Sequence, residues 1–260
     1  MNEVTREPRA NWWETLYDDA IADLFLTRQS EDALAREIRF LMRMLDLKPG
    51  DLLFDQCCGI GTQSLALAAE GLRVIGVDQC ARYTERARAK AEELGLAARF
   101  EAADATRFRS PEPCHAGVNW GTSFGNGPND ETNLAMARRA FESLRPGAAY
   151  AVEFPNMAHL IAHFQPVMVR RRATTEGEWL VLRESTLNLA CGSLDQVWTI
   201  VHPDGSRRTN PSSVRLYLPS QLAELLAAAG FGDVQLFGGT DGDPLDMGHA
   251  RCICIARRPL

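Results

Sequence analysis

Along the first part of the chain, segments with helical spacing of apolar residues alternate with short apolar runs. Between Ser30 and Leu47 the apolar residues fall three or four positions apart, which predicts a helix capped by Ser30. The short runs predict buried strands at 52–54, 73–77, 98–102, 116–120 and 148–154. Helix-favouring segments separate these strands at 63–69 and 81–94, and after a predicted cap at Asn129. Strands that alternate with helices predict a mostly parallel sheet with right-handed crossovers.

The pattern changes after the fifth predicted strand. Turn signals at Glu176-Gly177, Cys191-Gly192 and Pro203-Asp204-Gly205 separate stretches with β-branched and aromatic residues. They predict an antiparallel meander of three or four strands over residues 167–218. A helix beginning near Pro219, and two further strands at 231–237 and 251–256, complete the chain.

Composition and charge narrow the classes of protein and partner. Apolar residues make up 45% and charged residues 24% of the 260 residues, the balance of a globular protein. The formal net charge of −6 provides no overall positive field, so nucleic acid is not an expected partner. No apolar run approaches the ~20 residues of a membrane span, and the charged start 1–9 leads into no signal core. We therefore expect a cytoplasmic protein without a membrane partner.

The cysteine pattern argues against a metal site. The chain has seven cysteines, an odd number, and no Cys-x-x-Cys pair. Most of them lie within apolar runs, which is typical of reduced, buried thiols. We predict neither a disulfide framework nor a bound metal.

The segment that joins the first two predicted strands carries the most specific signal. The first strand ends at Asp55, the loop Gly59-Ile60-Gly61 follows, and after a helix the second strand ends at Asp78. Glycine lets the backbone pass close to a ligand. A carboxylate at the end of the second strand can accept both ribose hydroxyls of an adenosine. The order of these features indicates a ligand at the carboxyl ends of the strands.

Two kinds of cofactor compete for this loop. A dinucleotide fingerprint needs a third glycine, where this chain has Ser64, and an open helix terminus for pyrophosphate. The acid Asp55 at the loop entrance suits a cationic ligand better, such as the ammonium and sulfonium of S-adenosylmethionine. A nicotinamide-dependent dehydrogenase remains the alternative.

The loop also carries a family resemblance. The run from Asp55 to Gly61 resembles the first motif of the class I S-adenosylmethionine-dependent methyltransferases, and it departs from that motif at Gln56-Cys57-Cys58. Val77-Asp78, Ala103-Asp104-Ala105 and the segment 144–147 resemble later signposts of the superfamily. The segments 12–19 and 213–217 resemble a bacterial subgroup that modifies small molecules, including enzymes of secondary metabolism.

The resemblance implies S-adenosylmethionine as the cofactor and a small-molecule acceptor, methylated on nitrogen or oxygen by in-line displacement. It implies that Asp78 holds the ribose, that Asp104 and the Ala105 amide meet the adenine, and that Asn119 passes beneath the methionyl part. Tyr17 and Arg28 are candidates for the methionyl carboxylate. The predicted cofactor-binding residues are Tyr17, Arg28, Asp55, Gly59, Gly61, Asp78, Gln79, Asp104, Ala105 and Asn119.

Catalytic candidates lie on segments expected at the open face of the sheet. A base is needed only when the acceptor arrives protonated, and His159 and His163 are the first candidates, with Glu153 and His249 as further ones. The meander offers Arg215 and Tyr217, which alternate with leucines and therefore share a face. The predicted catalytic set is His159, His163, Tyr217 and Arg215.

Together these observations predict an α/β fold: a Rossmann-like, seven-stranded, mostly parallel sheet with helices on both faces, plus an inserted antiparallel β meander. The expected division is an N-terminal helical cover (1–48), a cofactor-binding core (49–165), a β insert over the active site (166–218) and the last core elements (219–260). An S-adenosylmethionine-binding enzyme with other chemistry, such as a cyclisation, and a non-enzymatic binding module are further alternatives. The sequence is compatible with a monomer and with a homodimer.

Overall fold

The computed structural model describes residues 11–27, 30–174 and 177–260. Within them the chain forms a seven-stranded sheet and a four-stranded sheet. The strands are, in chain order, β1 (Leu52–Gln56), β2 (Arg73–Asp78), β3 (Ala98–Ala102), β4 (Cys114–Asn119), β5 (Leu144–Pro155), β6 (Val167–Thr174), β7 (Gly177–Asn188), β8 (Ser193–Val201), β9 (Arg207–Arg215), β10 (Gly232–Phe237) and β11 (Arg251–Arg257).

The larger sheet has the strand order β10-β11-β5-β4-β1-β2-β3. Its strands β1 to β5 run parallel to one another. The strand β11 runs antiparallel to both β5 and β10. The predicted fold class is confirmed, because the sheet is mostly parallel and the four-stranded sheet is inserted between β5 and β10.

The helices of the described residues begin with short N-terminal turns and continue with longer crossover helices. They are α1 (Trp13–Leu16), α2 (Asp19–Ile21) with a π-helical turn (Ala22–Leu26), α3 (Glu31–Met44), α4 (Thr62–Ala69), α5 (Ala81–Leu94), α6 (Asp130–Ser143), α7 (Met157–Ala162) and α8 (Pro219–Ala228).

The predicted helix caps are confirmed, and one short helix went unpredicted. The side chains of Ser30 and Asn129 accept hydrogen bonds from the first turns of α3 and α6. Helix α7 has only six residues and buries none of them, so it leaves no apolar stripe in the sequence. Asn156 caps it by accepting a hydrogen bond from the Ala158 amide.

Helices cover both faces of the large sheet, since alternate residues of each strand point to opposite sides. Phe54 of β1 packs with side chains of α6 and α8, including Ala137 and Leu226. The adjacent Leu53 packs on the other face with side chains of α3 and α4, including Leu41.

The four-stranded sheet is antiparallel throughout, in the order β6-β7-β8-β9. Trp179, Val181 and Ile200 are buried on one of its faces. These side chains pack against the N-terminal segment, including Trp12 and Leu24. The described part of that segment, 11–27, is called the cap below, because it lies between the meander and the large sheet. No helix in the described ranges is long and apolar enough to cross a membrane.

Candidate active site

A cavity of about 730 Å³ lies over the carboxyl ends of β1 to β5. This volume falls within the ~300–1,000 Å³ of small-molecule sites. The loops that follow the strands form its floor, and the cap contributes the opposite wall. The cap side chains that line the cavity are Trp13, Glu14, Tyr17, Phe25 and Leu26.

The loop after β1 brings the backbone to the cavity. Gly59 lines it with φ +56°, and its amide donates to Asp78 Oδ2 at 2.9 Å. A Cβ on Gly61 would lie 3.0 Å from the Cβ of Ala87 and 3.2 Å from the Phe100 ring. The second glycine therefore permits close packing of the loop on α5 and β3, and it does not line the cavity.

Asp78 lies at the carboxyl end of β2 and lines the cavity, with Gln79 beside it. One carboxylate oxygen accepts from Gly59, and the other accepts from the Cys80 amide at 2.9 Å. Burial raises the pKa of Asp78, while these two amides oppose the rise. Its carboxylate is therefore held rigidly between the first loop and the start of α5.

Asp55 occupies a different place from the one predicted. It is 3% exposed and lies beneath the loop instead of lining the cavity. The Ser64 hydroxyl donates to its Oδ2 at 2.6 Å, so the residue at the missing third glycine is a partner of this acid. Burial raises the pKa of Asp55 to about 7, and the Ser64 hydrogen bond partly opposes that rise.

The side chain of Asp104 fixes the loop after β3 through hydrogen bonds within that loop. Asp104 Oδ1 accepts from the Thr106 amide at 2.8 Å and from the Thr106 hydroxyl at 2.7 Å. Asp104 and Ala105, the residues predicted for an adenine-binding turn, both line the cavity. Asn119 does not line it: the side chain is fully buried, and its Nδ2 donates to the Met136 sulfur at 3.5 Å.

Tyr17 brings a phenol from the cap into the cavity wall. Its oxygen accepts from Asn126 Nδ2 at 3.4 Å. Burial raises the pKa of Tyr17 to about 12, so its hydroxyl stays protonated and can donate to a ligand. Arg28, the other residue predicted for the same role, lies outside the described residues.

The far end of the cavity holds an ion pair that sequence reasoning largely missed. Glu153 accepts from Arg251 through both oxygens, at 2.5 Å and 2.6 Å, and from the Gly121 amide at 2.9 Å. Arg251 also donates to Thr122 Oγ1 at 2.6 Å. The antiparallel register that opposes Ile253 to Glu153 puts Arg251 on the same face of the sheet, but only a correct strand pairing reveals this.

Two cavity-lining residues hold a backbone conformation that costs free energy. Outside glycine, positive φ occurs in the described residues at Asp46, Cys57, Thr122 and Asp233. Aspartate tolerates this region better than other residues, and neither aspartate lines the cavity. Cys57 (φ +64°) and Thr122 (φ +70°) both line it, so the strained positions other than aspartate lie at the candidate site.

Arg215 and Tyr217, predicted to reach the acceptor, are instead structural. Arg215 Nε donates to Asp130 Oδ1 at 3.0 Å, and the Tyr217 hydroxyl donates to the same oxygen at 2.7 Å. The Tyr217 ring is 3% exposed and packs near Phe124 and Phe154. These contacts fasten the end of the meander to α6, because a buried phenol needs a partner for its hydroxyl. Neither side chain lines the cavity.

The predicted histidines also lie away from the cavity lining. His159 Nδ1 lies 3.0 Å from the Met247 carbonyl oxygen, and the His163 ring stacks on His159 at 4.1 Å. His249 Nδ1 lies 2.7 Å from Asp246 Oδ1. The short helix α7 turns its histidines toward the loop before β11, which the sequence pattern did not show.

The meander acts on the cavity through the cap. No described residue of β6 to β9 lines the cavity. Arg208 Nη2 donates to Asp18 Oδ1 at 2.7 Å, and Arg172 donates to the Leu24 carbonyl. Phe25, which lines the cavity, packs edge-on against Trp198. The meander therefore holds the cap in place over the sheet.

The charges of the lining fit a cationic cofactor. The carboxylates of Asp78 and Asp104 at one end, with Glu14, Glu37 and Glu153 elsewhere, outnumber Arg82 and Arg251. A pyrophosphate would meet like charge at the glycine loop, which disfavours a dinucleotide. Two buried polar atoms of lining residues, Trp120 Nε1 and Asn126 Oδ1, have no hydrogen-bond partner among the described residues. Such atoms suit a bound ligand that supplies the missing partner.

Comparison with known proteins gives the family of the core. Residues 53–147 match the model of a methyltransferase domain. A 60-residue stretch is 48% identical to the 23S rRNA (uracil(1939)-C(5))-methyltransferase RlmD of Cupriavidus necator, covering 23% of this chain and 14% of that protein. The S-adenosyl-L-methionine-dependent Diels-Alderase iccD of Talaromyces variabilis is 32% identical over 126 residues, 47% of this chain and 42% of that protein. The chain thus spans less than half the length of either relative.

Solved structures with low sequence identity share the fold over more than nine-tenths of this chain. The CcbJ methyltransferase from Streptomyces caelestis superposes with a TM-score of 0.77 at 16% identity, covering 92% of this chain and 96% of that one. CalS10 from Micromonospora echinaspora, an amino pentose methyltransferase solved with S-adenosylmethionine bound, gives a TM-score of 0.70 at 16% identity, covering 94% and 98%. At this identity the likeness shows a common fold.

Proposed function

We propose that this chain, which belongs to the class I S-adenosylmethionine-dependent methyltransferases, transfers the methyl group of its cofactor to a small-molecule acceptor. One observation carries the proposal: a single cavity joins two chemically different ends under the cap. Gly59, Asp78 and Asp104 form the cofactor end, and Thr122 and Arg251 form part of the acceptor end.

The cofactor end fits the adenosyl and methionyl parts of S-adenosylmethionine. Asp78 would accept from the ribose hydroxyls, and the Asp104-Ala105 turn would meet the adenine. Tyr17, protonated because burial raises its pKa to about 12, would donate to the methionyl carboxylate. When bound, the cofactor supplies a methyl group already activated by its sulfonium.

The acceptor end would act mainly by holding the acceptor in line with that methyl group, since alignment is the largest contribution that such a site makes. The Glu153 carboxylate accepts three donors, so its part is to fix Arg251 and Gly121. Thr122 and the indole nitrogen of Trp120 are then the polar groups offered to the acceptor. This arrangement needs no histidine base.

The lining of the cavity favours a small acceptor over RNA. The cap lines one wall with Trp13, Tyr17 and Phe25, and none of these side chains carries a positive charge for a phosphate backbone. The net charge of −6 and the acidic lining oppose a polyanion. The likeness to RlmD proteins covers 60 residues in one relative and 97 in another, which is 23% and 36% of this chain. The amino pentose methyltransferase CalS10 offers a precedent for a small acceptor on this fold.

A second candidate is an enzyme that binds S-adenosylmethionine for chemistry other than methyl transfer. The 32% identity over 126 residues to an S-adenosyl-L-methionine-dependent Diels-Alderase supports this candidate. The two candidates differ in whether the cofactor is consumed.

Binding and turnover together test the proposal. Titration calorimetry with S-adenosylhomocysteine, NAD and NADP should show binding of the first alone. A panel of small amines, phenols and alcohols is then screened with radiolabelled S-adenosylmethionine, with ribosomal RNA as a comparison. We expect label transfer to a small amine or hydroxyl compound. Binding of NAD alone, or label found only in RNA, would contradict the proposal, and product formation without cofactor consumption would favour the second candidate.

A further inference from the structure

The residue at the end of β1, Gln56, begins the three-residue departure from the superfamily's first motif. Its side chain is fully buried. The amide nitrogen donates to the carbonyl of Ala105 at 3.2 Å and to the carbonyl of Met136 at 3.0 Å. The amide oxygen accepts from the Tyr150 hydroxyl at 2.7 Å. Both N–H groups and the oxygen of this amide therefore have partners.

The two carbonyls belong to residues that line the cavity from separate elements. Ala105 follows Asp104 in the turn after β3, and Met136 lies in α6. A mid-helix carbonyl already accepts a helical hydrogen bond. The contact with Met136 therefore adds a tie between elements and is not needed to complete the helix.

Tyr150 fixes the direction in which the Gln56 amide points. Its hydroxyl donates to the amide oxygen, which leaves the nitrogen facing the two carbonyls. Burial raises the pKa of Tyr150 well above its usual range, so the hydroxyl stays protonated and remains a donor. Tyr150 of β5 thus orients the Gln56 amide, and that amide is hydrogen-bonded to two residues that line the cavity, Ala105 and Met136.

We propose that Gln56 is a positioning residue for the adenosine part of the cofactor, acting through the backbone of Ala105 and Met136. This inference rests on the cofactor site proposed above. Ala105 lies in the turn assigned to the adenine. Its carbonyl shares a peptide unit with the Thr106 amide, which donates to Asp104 Oδ1 at 2.8 Å, so a shift of that carbonyl moves the turn. An apolar residue at position 56 would remove the hydrogen bond between this turn and β1.

The test measures affinity and stability separately. Gln56→Met keeps the length and volume of the side chain, and it removes both donors together with the acceptor of the Tyr150 hydroxyl. Titration calorimetry with S-adenosylhomocysteine and with 5′-methylthioadenosine should give a dissociation constant raised about tenfold for both, roughly one hydrogen bond's worth. The increase should match because the two probes share the adenosine. Tyr150→Phe, which keeps both donors but frees the amide to rotate, should raise it about threefold.

Asn156 provides a matched control. Its buried amide also donates to two backbone carbonyls, those of Asp246 and His249, each at 2.8 Å. Neither of those residues lines the cavity. Asn156→Leu should therefore lower the melting temperature while leaving both dissociation constants unchanged.

Three results would overturn the inference. In the first, Gln56→Met and Tyr150→Phe lose stability as Asn156→Leu does but bind both probes normally. In the second, the loss of affinity is confined to S-adenosylhomocysteine, which would place the effect at the methionyl part. In the third, the unaltered chain binds neither probe, and the proposed function fails with it.

Discussion

The two ends of the cavity are built in different ways. The cofactor end consists of short consecutive segments, 57–60, 78–80 and 104–106, each following directly after a strand of the parallel sheet. The acceptor end brings together Thr122, Glu153 and Arg251, which come from the loop after β4 and from the strands β5 and β11. Because each segment of the cofactor end is contiguous in sequence, that end can be recognised as a sequence motif. The acceptor end forms only when strands far apart in the chain pair with each other.

The difference extends to how each end is held. At the cofactor end, backbone amides of Gly59 and Cys80 fix Asp78. At the acceptor end, a side-chain ion pair between Glu153 and Arg251 fixes the loop after β4. The first kind of contact depends on local backbone, and the second depends on the identity of two residues far apart in sequence. The arrangement at the proposed acceptor end therefore depends on the identity of these two side chains.

Removing the acid at the cofactor end should have the largest effect. Asp78→Ala removes the carboxylate proposed to accept from two ribose hydroxyls and frees the Gly59 and Cys80 amides. We expect the affinity for S-adenosylhomocysteine to fall about tenfold or more, corresponding to roughly 1.5–3 kcal/mol. Titration calorimetry measures it, with the exposed Asp233→Ala as a control that leaves affinity unchanged. Normal binding by the Asp78 variant would mean that this acid only shapes the loop.

The buried acid beneath the loop predicts a pH dependence of stability. Burial raises the pKa of Asp55 to about 7 from an ordinary value of 3.8, and the pKa of Asp78 moves in the same direction. At a pH between these two pKa values, the Asp55 carboxyl is ionised in the unfolded chain but stays protonated in the folded chain. Rising pH therefore favours unfolding. The free energy of unfolding of the ligand-free protein should therefore fall between about pH 4 and pH 7.

Chemical denaturation at several pH values between 4 and 8 checks this slope. Asp55→Asn removes the titrating group, so the free energy of unfolding of this variant should change less with pH. A matched variant at an exposed acid, Asp46→Asn, should leave the slope as it is. A slope that is the same in all three proteins would show that Asp55 titrates normally in the fold.

The smallest expected effect separates stability from function at the acceptor end. Thr122→Gly relieves a positive φ of 70° and removes the hydroxyl that accepts from Arg251. Relief of strain is worth about 1 kcal/mol, and the entropy of glycine offsets part of it. We expect an unchanged or slightly higher melting temperature, normal S-adenosylhomocysteine affinity and a several-fold loss of turnover with the acceptor found by screening.

Asp233→Gly is the control for backbone strain, since Asp233 also has positive φ but lies away from the cavity. It should leave turnover unchanged. If Thr122→Gly turns over its acceptor at the normal rate, Thr122 is a strained loop residue without a part in the acceptor site. A loss of cofactor affinity in the same variant would instead show that the two ends are coupled.

Much of the framework was predictable because it follows from local patterns. The helix 81–94 and the strand 98–102 were predicted with the bounds that the structure shows. The caps at Ser30 and Asn129 follow from side chains that bond within their own turn. The order of glycine loop and acid likewise predicts a nucleotide-type site without any contact between distant segments.

The predicted catalytic side chains show where local reasoning stops. Alternation placed Arg215 and Tyr217 on one face, and both meet Asp130 of α6. Which face of the meander meets the cap, and which meets solvent, depends on how the two sheets pack. An alternating pattern is the same for either choice, since period two does not say which side is covered.

The sequence by itself determined the order of strands and helices along the chain, the glycine loop at 59–61, the acid at the end of β2 and the acid shortly after β3. These depend on residue type, spacing and the short reach of capping and turn contacts. Only the tertiary structure decided that Asp55 lies under the loop, that Gln56 ties Ala105 to α6, and that Arg251 meets Glu153. Those contacts join residues far apart in the chain, so they stabilise the protein only after the strands of the sheet have paired.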